Sequence, residues 1–323
     1  MLRRPGVAAA LWLAIGPAHS PAHHSRAHFS ADLVELTGQL VGVDWRNPHV
    51  LFTLRVTDPS GEDALWRLEG SSIYNLQRVG VTRDLFATGA IIRVSGHAST
   101  RRDREMLANT VRFADGSETL LWNNRSLHED PVAPPDTLAE NKGIFRVWST
   151  PRERSRVTHL PFTAAAIAAR GAWDPLDNFA TRCEQEGMPR IMLNPHPFEF
   201  VDRGDEITLR TEFYDIERVI HMDRSAPPPG QPSSHLGYSV GTWDGGSLVV
   251  ETTLIDWPFF DNAGTPQSEQ VEILEQFTPS SDQGRLDFHI TITDPETFTE
   301  PATIRGHWLA LGETILRYDC QAR

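Results

Sequence analysis

The chain has 323 residues, enough for about two domains, and carries 30 Lys and Arg against 43 Asp and Glu, a formal net charge of −13. That balance argues against nucleic acid as a partner, because phosphates demand a basic face. Two cysteines in so long a chain leave room for one pairing.

The first 22 residues read as a secretory signal. Arg3 and Arg4 give the positive end, Val7–Gly16 ("VAAALWLAIG") the apolar stretch, and Ser20 and Ala22 the small residues a signal peptidase reads. The apolar run is too short to cross a bilayer, which takes about 20 apolar residues, and no later segment qualifies as a membrane span. Pro17 and Pro21 argue against an ordinary buried helix. Cleavage after Ala22 and a periplasmic or secreted location are therefore expected. In such an oxidising compartment Cys183 and Cys320 are expected to form a disulfide, the alternative being two separate buried thiols.

Residues 30–122 alternate with the period of a strand. "VELTGQLVGVDW" and "HVLFTLRV" are two strands parted by Arg46-Asn47-Pro48, and "ALWRLEG" follows a turn at Asp58–Gly61. Ser71 and Ser72 can cap a short helix, after which "AIIRVSGHA" and "MLANTVRFADG" resume as strands. Three strands, a helix and two strands is the order of a five-stranded OB-like barrel. Residues 123–182 read as a linker: "HEDPVAPPD" cannot pair in a sheet, and "FTAAAIAARG" is one short helix with Thr163 as cap and Gly171 as stop.

Residues 183–323 return to β structure as four consecutive hairpins, turning at Arg203-Gly204-Asp205, at Asp244-Gly245-Gly246, within "TPSSDQG" and within "LALGET". Hairpins without helices predict an antiparallel up-and-down barrel of roughly eight to ten strands, lipocalin-like in size and able to enclose one small ligand. The fold class expected is thus mainly β, an OB-like barrel followed by a second barrel.

Several stretches carry a family resemblance. "AHHS", "WRNPHV", "WRLEGSS" and "GVTRDLFATGAIIRVSGH" resemble an exported bacterial family carrying the domain of unknown function numbered 6152. "DPLDNFATRC", "GMPRIMLNPHPFEF", "GYSVGTWDGGSLVVETT" and "DNAGTPQSE" resemble the second half of its longer members. The resemblance implies no particular activity. It also implies two histidines that are absent: "DRSAPPP" stands at Asp223–Pro229 where relatives show D-G-R-P-H, and "GTPQSE" at Gly264–Glu269 where they show G-x-P-H-S-E.

No nucleophile elbow, zinc-protease motif, C-x-x-C or phosphate loop is present. In the second barrel Thr208, Arg210, Glu212 and Tyr214 alternate with Ile207, Leu209, Thr211 and Phe213. The polar set is either the solvated outside of the sheet or a ligand-binding lining. "IDWPFFDNAG" offers an aromatic mouth in Trp257, Phe259 and Phe260, or else a lid packed over the barrel end with Asp261 capping a turn. His221, Asp261 and Glu275 are the acid/base candidates.

Three functions compete on this reading. The first is binding of a small, largely apolar molecule in the second barrel. The second is a lyase, isomerase or hydrolase without an organic cofactor. The third is copper binding: cleavage after Ala22 would free the α-amine of His23 to chelate with its own ring, with His24 and His49 as further ligands.

Overall fold

The computed structural model describes residues 28–122, 130, 133–134, 136–138, 140, 142–151 and 156–321. The expected signal segment, His23 and His24 lie outside the described residues. The protein is mainly β, in two sheets.

The first sheet contains β1 (Phe29–Asp44), β2 (Leu51–Thr57), β3 (Asp63–Glu69), β4 (Ile91–Ser99), β5 (Glu105–Arg112) and β6 (Glu118–Leu120). Its order is β3-β2-β1-β4-β5-β6, and a parallel pairing of β3 with β5 closes the first five strands into a barrel. Helix α1 (Ile73–Gln77) sits between β3 and β4, its first turn capped by the Ser72 hydroxyl, which accepts from Asn75 N. The expected five-stranded OB-like closure is present, with β6 added as a short edge hairpin. Leu40, Phe52, Leu54, Leu68, Phe86 and Met106 fill the interior. Gly96 makes the tight coiling of β4 on β5 possible, since a Cβ there would lie 2.2 Å from the Leu107 carbonyl oxygen.

The second sheet has ten strands: β7 (Val147–Trp148), β8 (Val157–His159), β9 (Phe198–Asp202), β10 (Glu206–Thr211), β11 (Ile216–His221), β12 (Tyr238–Asp244), β13 (Ser247–Thr253), β14 (Glu272–Pro279), β15 (Arg285–Thr293) and β16 (Ala302–Leu309). Their order is β7-β9-β10-β11-β12-β13-β14-β15-β16-β8, curled into a half-barrel whose two sides meet through the Ser149–Leu309 bridge. Both β7 and β8 come from residues 123–182. So does α2 (Ala164–Ala172), which is capped by Thr163 and runs through Gly171 to end at Trp173.

Within β9–β16 one connection departs from a meander. β12 runs parallel to β11, and residues 222–237 cross over between them. The physical reason is in the chain: Pro227, Pro228, Pro229 and Pro232 cannot donate to a ladder, so the segment leaves the sheet instead of turning into a hairpin.

The inside of the half-barrel is packed with rings. Trp308 lies 4.1 Å from Phe288 and 4.8 Å from Phe198 between centroids, and Phe200 lies 5.3 Å from Phe277. Such rings each remove a large apolar area from water, which makes this the main core.

The last residues tie the two sheets together. Glu313 accepts from the Tyr74 hydroxyl at 2.8 Å and pairs with Arg78 Nε at 2.8 Å. Asn47 Nδ2 donates to Tyr318 O at 2.7 Å, while Tyr318 N donates to Asp215 at 3.1 Å on the other side. The expected disulfide, Cys183–Cys320, fixes this strap to the end of the short helical turn Phe179–Arg182, ahead of β9.

Candidate functional site

The site with the right shape lies at the open end of the half-barrel. β11 stops at His221, and Met222 makes one last bond, its N–H donating to Asp205 O at 2.8 Å, before the chain leaves the sheet. β12 pairs with β11 only through Ile220–Ser239 and His221–Val240. From Gly241 onward its edge on that side therefore has no strand beside it among the described residues. The gap is a cleft of about 430 Å³, lined by Phe145, Ile207, Met222, Gly241, Thr242 and Trp243, with Asp202 and Gly204 at the facing hairpin.

Strand alternation puts Ser239, Gly241 and Trp243 on one face of β12. Ser239 points into the interior, where its hydroxyl meets Arg218, so Trp243 is the same face carried past the rim and is 49% exposed. Phe145 stands at 67° to its ring with centroids 6.1 Å apart. Gly241 lets the floor pack closely: a Cβ there would lie 2.5 Å from Met222 Sδ and 2.7 Å from Ile220 Cγ2. Asp202 is the one charged residue of the lining; Gly204 N donates to its Oδ1 at 2.8 Å. A cleft of this volume at a barrel mouth, lined by aromatic and aliphatic side chains together with Asp202 and Thr242, is a place where a small molecule can bind.

A second cleft of about 420 Å³ lies against the crossover. His221 lines it, stacked 4.4 Å from the Tyr238 ring at 17°, with its Nδ1 3.1 Å from Glu206. Arg218 reaches its floor from the interior.

The structure scatters the other expected residues. Glu275 is inside the half-barrel, 0% exposed, and both its oxygens are engaged by Arg218, which is 1% exposed. Arg218 also donates to Ser239 at 3.0 Å and Thr252 at 2.8 Å, so every polar group of this buried set has a partner. Asp261 pairs with Arg170 of α2 and accepts from Ala263 N at 2.9 Å and Thr265 N at 3.2 Å, the geometry of a capped turn. His221, Asp261 and Glu275 thus occupy three separate places.

Arg210 faces outward and pairs with Glu199 at 2.9 Å and Glu217 at 3.4 Å. Glu212 and Tyr214 do not share its face. β10 ends at Thr211, and the turn Phe213–Asp215, with φ of 57° at Tyr214 and 53° at Asp215, breaks the alternation. Glu212 is instead buried 3.0 Å from His196 Nδ1 and accepts from Leu316 N at 3.2 Å. Tyr214 packs 4.9 Å from Tyr318.

The loop with Trp257, Phe259 and Phe260 is a plug. Trp257 is 1% and Phe260 3% exposed. Trp257 meets Phe179 at 5.0 Å, Phe259 meets Trp173 at 5.1 Å, and Phe260 meets Phe298 at 5.1 Å. His49 lies against the first barrel, its Nδ1 2.7 Å from Glu69 and its ring 5.3 Å from Trp122. Among the described residues no group of three or more His, Cys, Asp or Glu could hold a metal ion, which says nothing of His23 and His24.

Sequence reasoning missed two things. One is the mouth: its signal was a tryptophan next to a hairpin turn, in the phase of the inward face, in "GTWDGG". The other is Glu186, which is 0% exposed. It lies 3.1 Å from Arg190 Nε, yet neither oxygen makes an aligned hydrogen bond among the described residues. Burial pushes its carboxyl up from the usual range, and Arg190 only partly offsets this.

The model of a family of unknown function (DUF6152) matches residues 12–108. Over that segment the chain is similar to this family. The resemblance carried by "WRNPHV", "WRLEGSS" and "GVTRDLFATGAIIRVSGH" is borne out there. No curated protein matches the chain.

Proposed function

We propose that the protein is an exported binding protein that takes a small, largely apolar molecule at the open end of its second sheet. The observation that carries this reading is Trp243, a large apolar ring left half exposed on a strand face that is otherwise interior, beside a floor where Met222 and Ile220 pack closely on Gly241. The disulfide supports export, because such bonds persist in oxidising compartments.

Acid/base catalysis by the expected carboxylates has less support. A general base needs a free oxygen within reach of the proton it takes. Glu275 and Asp261 each have both oxygens occupied by neighbours.

The test uses N-phenyl-1-naphthylamine, a neutral apolar fluorophore. Its emission should rise saturably with the protein and lose most of that rise in Trp243→Ala, with unchanged far-ultraviolet circular dichroism. His221→Ala, in the other cleft, should bind like the parent. A parent that gives no saturable rise, or a Trp243→Ala variant that binds equally, would overturn the reading.

A further inference from the structure

We infer that the ligand of the barrel mouth is an organic cation, an amine or quaternary ammonium carrying an apolar group. The inference rests on the reading of the mouth as the binding site and adds the chemistry of its occupant.

Three observations point the same way. First, Trp243 and Phe145 both line the cleft and meet edge to face at 67° with centroids 6.1 Å apart, and Trp243 is half exposed there. The faces of aromatic rings carry negative potential, and cations settle over them, Trp being the best of the rings. Second, Asp202 is the one charged residue of the lining. Its Oδ1 accepts from Gly204 N at 2.8 Å, which orients this exposed carboxylate at the rim. Among the described residues no lysine or arginine lines the cleft to neutralise it. Third, the two hairpins that flank the opening carry Asp205 and Asp244, both exposed, against the single exposed Arg203. With a formal net charge of −13 on the whole chain, the field draws cations and repels anions.

An apolar cleft built for a neutral molecule needs no such carboxylate. Seating a neutral ligand against the exposed Asp202 carboxylate would strip part of its water without supplying a counter-charge, an unfavourable exchange. A cation removes that penalty and gains from both rings.

The experiment displaces N-phenyl-1-naphthylamine from the full-length protein with two probes of the same shape, phenyltrimethylammonium and tert-butylbenzene. They differ only in one atom, nitrogen with its positive charge for carbon. The cation should displace the fluorophore at least about 5-fold better, a margin at the upper end of the range of an exposed cation–π contact. That preference should shrink in Asp202→Asn and at high salt. Equal displacement, or better displacement by tert-butylbenzene, would overturn the cationic ligand while leaving the mouth as an apolar site. A cation preference unchanged in Asp202→Asn would overturn the role of that carboxylate. Failure of the fluorophore itself to bind would overturn both the mouth and its occupant.

Discussion

Removing Glu275 alone should be among the most damaging single changes in the second sheet. Its carboxylate and the Arg218 guanidinium form a two-pronged pair, 0% and 1% exposed, between Ile216 and Ile220 on one strand and Ile273 and Phe277 on another. Truncation to Ala leaves a guanidinium with no counter-charge in a medium that cannot solvate it. Breaking a buried pair from one side costs about 3–5 kcal/mol. At about 2–4 °C per kcal/mol for a unit of this size, the thermal midpoint should fall by roughly 10 °C. Replacing both partners, Arg218→Met with Glu275→Leu, should restore most of that loss, since apolar substitutes of similar volume pack without desolvating charge. The two hydroxyls left behind satisfy each other, Ser239 and Thr252 lying 3.0 Å apart. Urea unfolding of the parent, both single variants and the double variant measures the coupling directly. A Glu275→Ala loss under about 1 kcal/mol, or additive single effects, would refute the argument that the pair is a structural unit.

Other expectations follow from the same geometry. Replacing Phe260 by Ala should destabilise by about 3–5 kcal/mol and leave fluorophore binding per folded molecule unchanged, because the ring is core packing against Phe298. Converting Cys320 to Ser opens a loop of 137 residues, worth up to about 5 kcal/mol in chain entropy, and should make the strap from Ala310 to Gln321 sensitive to limited proteolysis. Glu186 should give stability a falling slope with pH: its raised pKa means that the folded state holds a proton the unfolded chain has released above about 4.5, so stability declines as pH rises through that window. Urea midpoints from pH 4.5 to 8 should show that decline in the parent and a flatter profile in Glu186→Gln. His49→Ala should leave the Cu(II) affinity of a chain prepared to begin at His23 unchanged by calorimetric titration, because the ring is already committed to Glu69 at 2.7 Å.

What the sequence made legible was whatever depends on local period and turn chemistry. Thr163 caps α2 and Ser72 caps α1 as their positions predict, and the hairpins at Gly204 and Gly245-Gly246 turn where glycine can take a positive φ. The first barrel closes because three strands, a helix and two strands leave few other ways to bury one face. What failed was extrapolation of strand alternation past the strand's end. Glu212 and Tyr214 continue the phase of Arg210 on paper, but a left-handed residue at Tyr214 resets the phase, which a tyrosine's own propensity does not announce. Aromatic side chains in a loop were equally ambiguous. "DWPFFDN" has the composition of a binding loop, and only its position under Trp173 and Phe179 makes it a plug.

The mouth was illegible for a related reason: it is a product of topology. Nothing in "GTWDGG" says that the neighbouring strand stops at His221. That follows from the proline-rich crossover, which makes β12 a parallel neighbour with two paired residues instead of a full antiparallel partner. Had β11 and β12 formed a hairpin, backbone bonds would run to the rim and Trp243 would lie beside a strand, as Leu248 does on its other side. The same proline run that removes ladder bonds therefore creates the concavity. A chain that needed only stability would gain by closing that edge. Here the rim instead carries a half-exposed Trp243 on an inward strand phase and, across the cleft, the exposed carboxylate of Asp202, features that stability alone does not call for and on which the proposed binding reading rests.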